Sequence, residues 1–340
     1  VIFVPVGDVR QGDRLSQNVY RADGRLVLAQ GAILTPQLIE GLIRLRIEGV
    51  YIDNAHIGGE AAADGILDEG VAIRQNALKV AAEVFADIAA KGDFHSRSVI
   101  RLTDDLVHQL NKNEDVQIQM KEFRTNSSYL IAHSVNVCVL AVLTAKALGY
   151  SEQHLRTVAI GALLHDIGYA AGETEDPAHD HPRIGFDIIR KHPDIPLLSA
   201  HIVLQHHERL DGTGYPMAIG GEEFRQAAQI CAIANDFDHF VNEIGQKRLP
   251  HEGIEYVMSK VDSCYDIAVV RAFVQSVTPY PVGTVVKLTN GIVGTVTELH
   301  KGYPSRPVIV TRDQGLRFDL MHFHTEFVEE VLVREHGAAV

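Results

Sequence analysis

Apolar and polar positions change rhythm three times along this chain. At first they alternate in short runs. Val1–Val6 is apolar and β-branched, and Asn18–Leu28 reads as a hairpin about Ala22-Asp23-Gly24, with Asp-Gly supplying the turn. Thr35-Pro36 sets an N-cap and then a proline at the first helical position. The helix opened there, Gln37–Arg46, closes at Gly49, and Val50–Ile52 forms a short strand. Residues 54–66, rich in Gly and Ala, read as a linker.

The second rhythm is helical. Val71, Leu78, Val84, Phe85 and Ile88 recur near period 3.6 between Leu67 and Lys112, a stretch that would join modules or pack between subunits. From Asp115 to Val277 the pattern stays helical, with segments Leu130–Leu148, Ser151–Gly168, Leu197–Glu208 and Glu222–Ile244 divided by Gly, Pro or polar loops. Gly149 ends the first of these, Ser151 caps the second, and Gly168 ends it. After Pro279 the runs turn β-branched: Thr284–Leu288, Ile292–Leu299 and Pro307–Thr311, with Thr289-Asn290-Gly291 as a hairpin turn. The expected chain is mainly α, with an α+β module at 1–55, a linker and connecting helices at 56–114, a helical domain at 115–278 and a small β appendage at 279–340.

Composition narrows the function classes. A net charge of −13 over 340 residues disfavours general binding to nucleic acid or anionic membranes, since phosphate backbones reward Lys and Arg. A small anionic substrate stays open, because a bound metal can dominate the local field. Cys138, Cys231 and Cys264 are far apart, form no CxxC and sit in apolar surroundings. They read as reduced core residues and point to the cytoplasm. No apolar run is expected to reach the roughly 20 residues that cross a bilayer, and the first residues lack a signal-peptide pattern.

The candidate chemistry lies in the histidines. His165-Asp166 falls in ALLHDIGY, and residues 206–216 read HHERLDGTGYP. Paired imidazoles together with a carboxylate able to bridge are what a two-metal site requires. Taken alone, His133 reads as a core histidine and His181 as a surface histidine beside Pro182. His206-His207 carries more weight, because a packed core seldom needs two adjacent polar rings. Glu208 and Asp211 are placed to orient those imidazoles. Gly212 and Gly214 permit conformations that a Cβ resists, and Tyr215-Pro216 stiffens the loop. His322 and His324, alternating in MHFHTEF, read as solvent-facing strand positions.

The order His133, His165-Asp166, His181, His206-His207, followed by an acidic helix, resembles the HD-GYP domain, a subgroup of the HD phosphohydrolases. The likeness runs from about Leu130 to Val274 and includes AIANDFDHF and YDIAVVRAF. It implies hydrolysis of cyclic di-GMP to pGpG or GMP by a metal-bridging hydroxide. The chemistry would centre on Asp166 and His165. One ion would be held by His133, His165 and Asp166, and the other by His181, His206 and His207, with Asp166 shared. Iron or manganese suits such a site, and nickel or zinc also binds this ligand chemistry.

The chain departs from the family at four places. Asn235 stands where the acidic helix gives an Asp ligand, with Asp238 on the same face as a compensating carboxylate or a cap for a substrate group. Tyr169 replaces a Lys near the substrate phosphate, and Tyr129 replaces a Glu that recruits a third ion in some members. The stretch before His181 is short and acidic. Lys247 and Arg248 are candidate phosphate contacts. Two alternatives therefore stand beside the phosphodiesterase: a metal-loaded regulatory module that binds the nucleotide or a protein signalling partner, and a hydrolase of another phosphorylated nucleotide. A homodimer is compatible with each.

Overall fold

The computed structural model describes residues 2–6, 9–16, 19–20, 26–45, 47, 49–52, 66–112, 129–242, 248–280, 282–300, 302–311 and 315–332. Contacts divide the chain into two units. One comprises Val1–Ala62, Gln117–Ser128 and Thr278–Val340, and the other Ala63–Val116 and Tyr129–Val277.

In the first unit, β1 (Ile2–Pro5) pairs antiparallel with β4 (Gly49–Ile52), and β2 (Val19–Tyr20) with β3 (Leu26–Leu28). The expected turn at 22–24 and the linker at 54–65 lie outside the described residues. Helix α1 (Pro36–Arg44) starts as its sequence predicts: the Thr35 hydroxyl accepts from Leu38 N–H at 3.3 Å, and Pro36 opens the first turn. Val6, Leu15, Leu34, Leu42 and Ile52 fill this core.

The C-terminal residues form a five-stranded antiparallel sheet in the order β8-β7-β6-β5-β9. Its strands are β5 (Val285–Leu288), β6 (Val293–His300), β7 (Tyr303–Thr311), β8 (Arg317–Asp319) and β9 (Val328–Leu332). Gly291, with φ +84°, makes the β5–β6 turn. His322 and His324 are exposed but lie in the turn-rich segment between β8 and β9 and not on a strand. The alternation in MHFHTEF is thus not a strand pattern; Asp319 turns the chain there by accepting from Met321 N–H.

The helical unit contains α2 (Ile66–Lys91), α3 (Ser96–Lys112), α4 (Tyr129–Ala147), α5 (Glu152–Leu163), α6 (Pro177–Ile189), α7 (Leu197–Gln205), α8 (Gln226–Asn242), α9 (Pro250–Met258) and α10 (Ile267–Ser276). The single helical stretch expected from 67 to 112 is broken at Gly92, whose φ of +69° ends α2. The expected Ser151–Gly168 helix stops at Leu163, and a short 3₁₀ turn, Ile167–Ala170, follows. His165 and Asp166 therefore stand in the turn between these elements.

Helix α4 is the axis of the unit, packed by α2, α3, α5, α8 and α10. Eighteen of its 19 residues have a mean hydropathy of 1.7, and by length and composition alone the helix could cross a membrane. That overturns the expectation that no apolar run approaches this length. The physical reason lies in its packing, since a helix covered on several sides is apolar all round. Cys138 on α4 and Cys231 on α8 are buried free thiols, and Cys264 is half-buried and also free. Burial pushes the Cys138 thiol up to about 12.

Candidate metal centre

Four helices deliver their polar ends to one buried place. His133 comes from α4, His165 and Asp166 from the turn after α5, His181 from α6, and His206 and His207 from the end of α7. The donor atoms of His133, His165 and Asp166 lie within 4.8 Å of one another, as do those of Asp166, His181, His206 and His207. Asp166 belongs to both sets. Its Oδ2 is 3.3 Å from His165 Nε2 and 3.6 Å from His133 Nε2; its Oδ1 is 3.3 Å from His181 Nε2 and 3.6 Å from His206 Nε2.

The imidazoles are aimed by their other nitrogens. His165 Nδ1 donates to Ala162 O at 2.9 Å and His206 Nδ1 to Val203 O at 2.7 Å. In each case the ring satisfies a carbonyl in the last turn of its own helix, where no further backbone N–H is available. His181 Nδ1 donates to Pro177 O at 3.1 Å, and His133 Nδ1 to Asp238 Oδ2 at 2.7 Å. With Nδ1 protonated, Nε2 of a neutral ring carries a bare lone pair. These lone pairs meet in two places: His133 Nε2 is 3.2 Å from His165 Nε2, and His181 Nε2 is 3.1 Å from His206 Nε2. A divalent cation is the group that satisfies both partners of such a contact, so the residues fit the metals that the donor set implies.

Asn235 Oδ1 lies 2.9 Å from His133 Nε2, on the side of the first set, while its buried Nδ2 has no partner among the described residues. An amide oxygen turned toward lone pairs is again the arrangement of a ligand, here a neutral one. Burial works against the Asp166 carboxylate, but the charge of His165 and the close approach of the His165, His181 and His206 rings hold its pKa well below the ordinary value. Burial likewise opposes charge on His165, and Asp166 outweighs it, raising that pKa. His206 is lowered to about 4 by burial, and His207 is lowered further, by burial and by His206. Neutral imidazole is the form that ligates.

His181 is not the surface residue its neighbours suggested. Asp176 caps α6 by accepting from His179 N–H, Pro177 opens it, and His181 follows one turn later, buried. Tyr169 stacks on its ring at 4.1 Å and 16°. Gly168 has a role beyond ending a helix: a Cβ there would lie 2.1 Å from His181 O.

The loop after His207 is built by residues whose expected roles change. Glu208 does not orient the imidazoles. Fully buried, it accepts from Met217 N–H at 2.7 Å and Ile219 N–H at 3.1 Å. Asp211 is exposed and accepts from Thr213 N–H and Oγ1–H. Both fold the loop, because carboxylates accept well from its otherwise unpaired N–H groups. Gly212 takes φ +78°. Gly214 passes so close to the backbone that a Cβ would sit 2.4 Å from Glu208 Cα. Tyr215, joined to Pro216 by a cis bond, stacks on His207 at 4.6 Å and 18°.

On α8, Asp238 is neither a replacement ligand nor a substrate cap, since both oxygens are used in holding side chains: Oδ2 takes His133, and Oδ1 takes Asn136 Nδ2 at 2.6 Å and Asn242 Nδ2 at 2.8 Å. Asp236 points away to Arg209 and Tyr265. Arg248 folds over the Phe240 ring at 4.2 Å and donates to Phe240 O, beside an open cavity of about 320 Å³ that Asp236, His239 and Tyr256 also line. Lys247 lies outside the described residues. Tyr129 stacks on His133, and its hydroxyl pairs with His239 Nδ1 at 2.7 Å. Sequence reasoning passed over Asn136, although an amide three residues after His133 in an apolar helix was a readable signal.

Comparison with known proteins places this geometry. Residues 130–240 match the HD domain family. The chain is 30% identical over 214 residues to a cyclic di-GMP phosphodiesterase of Pseudomonas aeruginosa, covering 58% of this chain and 51% of that protein. It is 38% identical over 113 residues to the cyclic di-GMP phosphodiesterase response regulator RpfG of Xanthomonas campestris, covering 29% and 30%. The chain thus spans about half the length, or less, of these curated relatives. The solved structure of Bd1817, an HDG"Y"P protein from Bdellovibrio bacteriovorus, superposes with a TM-score of 0.52 at 17% identity, covering 80% of this chain and 97% of that one. That likeness concerns the fold.

Proposed function

We propose that this chain, which matches the HD domain family over residues 130–240, is a phosphodiesterase of the HD-GYP type that opens cyclic di-GMP to pGpG or GMP at a two-metal centre. One observation carries the proposal: Asp166 turns one carboxylate oxygen to His133 and His165 and the other to His181 and His206. The substrate class is drawn from the relatives, which are named as cyclic di-GMP phosphodiesterases.

His133, His165, Asp166 and Asn235 would hold one ion, and Asp166, His181, His206 and His207 the other. Bound there, the two ions would supply an activated water and neutralise charge building on the phosphoryl oxygens. Iron and manganese suit this histidine-rich, single-carboxylate set, with nickel and zinc as competitors.

The chain's own residues do the positioning. The four Nδ1–H bonds fix the rings of His133, His165, His181 and His206 before any substrate arrives, so these four need no reorientation at the moment of reaction. Tyr169 and Tyr215 flank His181 and His207. Burial raises both phenols, Tyr215 to about 12 and Tyr169 further. Each keeps its proton at neutral pH and acts as a hydrogen-bond donor toward an anionic substrate. Tyr169 offers one donor and no charge where a lysine would offer both. Glu208 holds the loop that presents Tyr215.

Asn235 and Tyr169 favour a second reading, a metal-loaded module that binds the nucleotide and turns it over little. The test is cyclic di-GMP turnover by protein loaded anaerobically with Fe²⁺ or Mn²⁺, beside an Asn235→Asp variant. Turnover by the wild type supports the enzyme. Activity in the variant alone supports the binding module. If neither turns over, the substrate assignment falls.

A further inference from the structure

The helix that precedes the histidine-bearing bundle reaches the first donor set by a line of hydrogen bonds. Arg74 on α2 donates from Nη2 to Asn136 Oδ1 at 2.6 Å. Asn136 on α4 donates from Nδ2 to Asp238 Oδ1 at 2.6 Å. Asp238 on α8 accepts at Oδ2 from His133 Nδ1 at 2.7 Å. Three helices, α2, α4 and α8, are thereby tied to one imidazole. Asn136 is 5% exposed and Asp238 and His133 are at 0%, so water offers little substitute when one member is lost.

We propose that Arg74 is a positioning residue for the first metal, acting on His133 through Asn136 and Asp238, and that docking of α2 and occupancy of that metal are coupled. The proposal rests on the metal reading above. Asn136 can turn only one amide end each way: its oxygen faces a donor and its nitrogen faces a carboxylate. Arg74 and Asp238 fix that orientation together, because a guanidinium has donors only and a carboxylate acceptors only. Without Arg74 the buried Asn136 oxygen has no donor, and a turn of the amide that relieves this cost breaks its bond to Asp238. The carboxylate then loses one of the two amides that fix its angle, the other being Asn242.

The line serves the first set alone. His165, His181 and His206 donate to carbonyls of their own helices, within four residues. His133 takes its Nδ1 partner from another helix, 105 residues away in sequence. The first set also has the neutral Asn235, so the charge that Asp238 brings to the back of His133 matters more there. Partners that orient a ligand typically change metal affinity about 10–100-fold. Arg74, two residues further back, belongs at the lower end. Coupling is reciprocal, so a first-set ion also strengthens the docking of α2 on α4.

The experiment is an Mn²⁺ titration of the full chain, followed by electron paramagnetic resonance, for wild type, Arg74→Ala and Arg74→Lys. Asn235→Ala and His207→Ala identify the two classes of site. Arg74→Ala is expected to weaken by about 10-fold the class that Asn235→Ala weakens and to spare the class lost in His207→Ala. Arg74→Lys, which keeps charge and a donor, recovers most of the loss. Unchanged affinity in Arg74→Ala, or equal weakening of both classes, overturns the proposal. If the wild type itself binds no Mn²⁺, Fe²⁺, Ni²⁺ or Zn²⁺, the metal reading fails first. Should Arg74→Ala not fold, hydrogen exchange of the wild type decides: amides of α2 around Arg74 slow on Mn²⁺ loading, and no change there refutes the coupling.

Discussion

Replacing Gly168 by alanine adds one methyl group where the backbone leaves no room. A Cβ at this position would lie 2.1 Å from His181 O and 2.8 Å from His181 C and Cα. Real Cβ atoms essentially never approach closer than 3.0 Å, so the 3₁₀ turn and α6 must part by about 0.9 Å. Both surfaces are backbone, and no flexible side-chain end can give way. Overpacking of this kind costs about 1–3 kcal/mol of stability. The larger effect is on ligation, because ligand distances are held to about 0.2 Å and the displaced residue is His181 itself. Losing a ligand should exceed the about 10–100-fold effect of losing a partner that only orients one. Gly168→Ala should therefore weaken the second Mn²⁺ class by at least about 100-fold, or about 2.8 kcal/mol. A two-class Mn²⁺ titration and a melting curve measure both effects. A variant that binds both ions and melts like the wild type would refute the argument that this close approach places His181.

Asp166→Ala removes the carboxylate common to both sets, and elemental analysis should find neither ion retained; full stoichiometry in both this variant and His165→Ala would remove the basis of the metal reading. Stripping the ions with a chelator should lower the melting temperature. A ligand at 100 times its Kd stabilises by about 2.7 kcal/mol, or about 5–10 °C for a unit of this size, and identical calorimetric traces with and without chelator would contradict it. Glu208→Gln sets an amide N–H against Met217 N–H or Ile219 N–H and costs about 1–3 kcal/mol locally. Limited proteolysis should then cut between residues 209 and 220 faster, with metal content unchanged; equal cleavage rates would show that Glu208 does not hold the loop.

How far the sequence could be read depended on how local each cause was. The N-terminus of α1 was legible because Thr35 and Pro36 act on the next turn alone. The histidine clusters were legible as chemistry, because His206-His207 is costly without a use. What was hidden depends on contacts remote in sequence. The role of Asp238 requires α8 to lie against α4, and that of Glu208 requires the chain to return at Met217 and Ile219. His181 looked exposed beside Pro182, since the cap that starts its helix, Asp176, is five residues upstream in an acidic stretch that reads as loop. The early end of α5 had no local breaker. It is fixed by His165 turning back onto Ala162 O, a bond that only the finished centre makes worthwhile. The break at Gly92 had a local signal and was obscured by apolar periodicity that runs across it.

The covering of α4 bears on when the centre is assembled. This helix contributes His133 and Asn136 from the innermost layer of its unit, and His133 is aimed only once α8 has brought Asp238 against it. Side chains so placed cannot gather an ion at the surface of a half-formed chain, as a small zinc-nucleated domain does when metal and folding arrive together. Burial of this kind implies that loading follows closure of the hydrophobic layers. A cell deprived of the metal would accumulate a shaped but unloaded and less stable protein, ready to be charged after synthesis, and supply of the ion would set how much of it works more than how much of it folds.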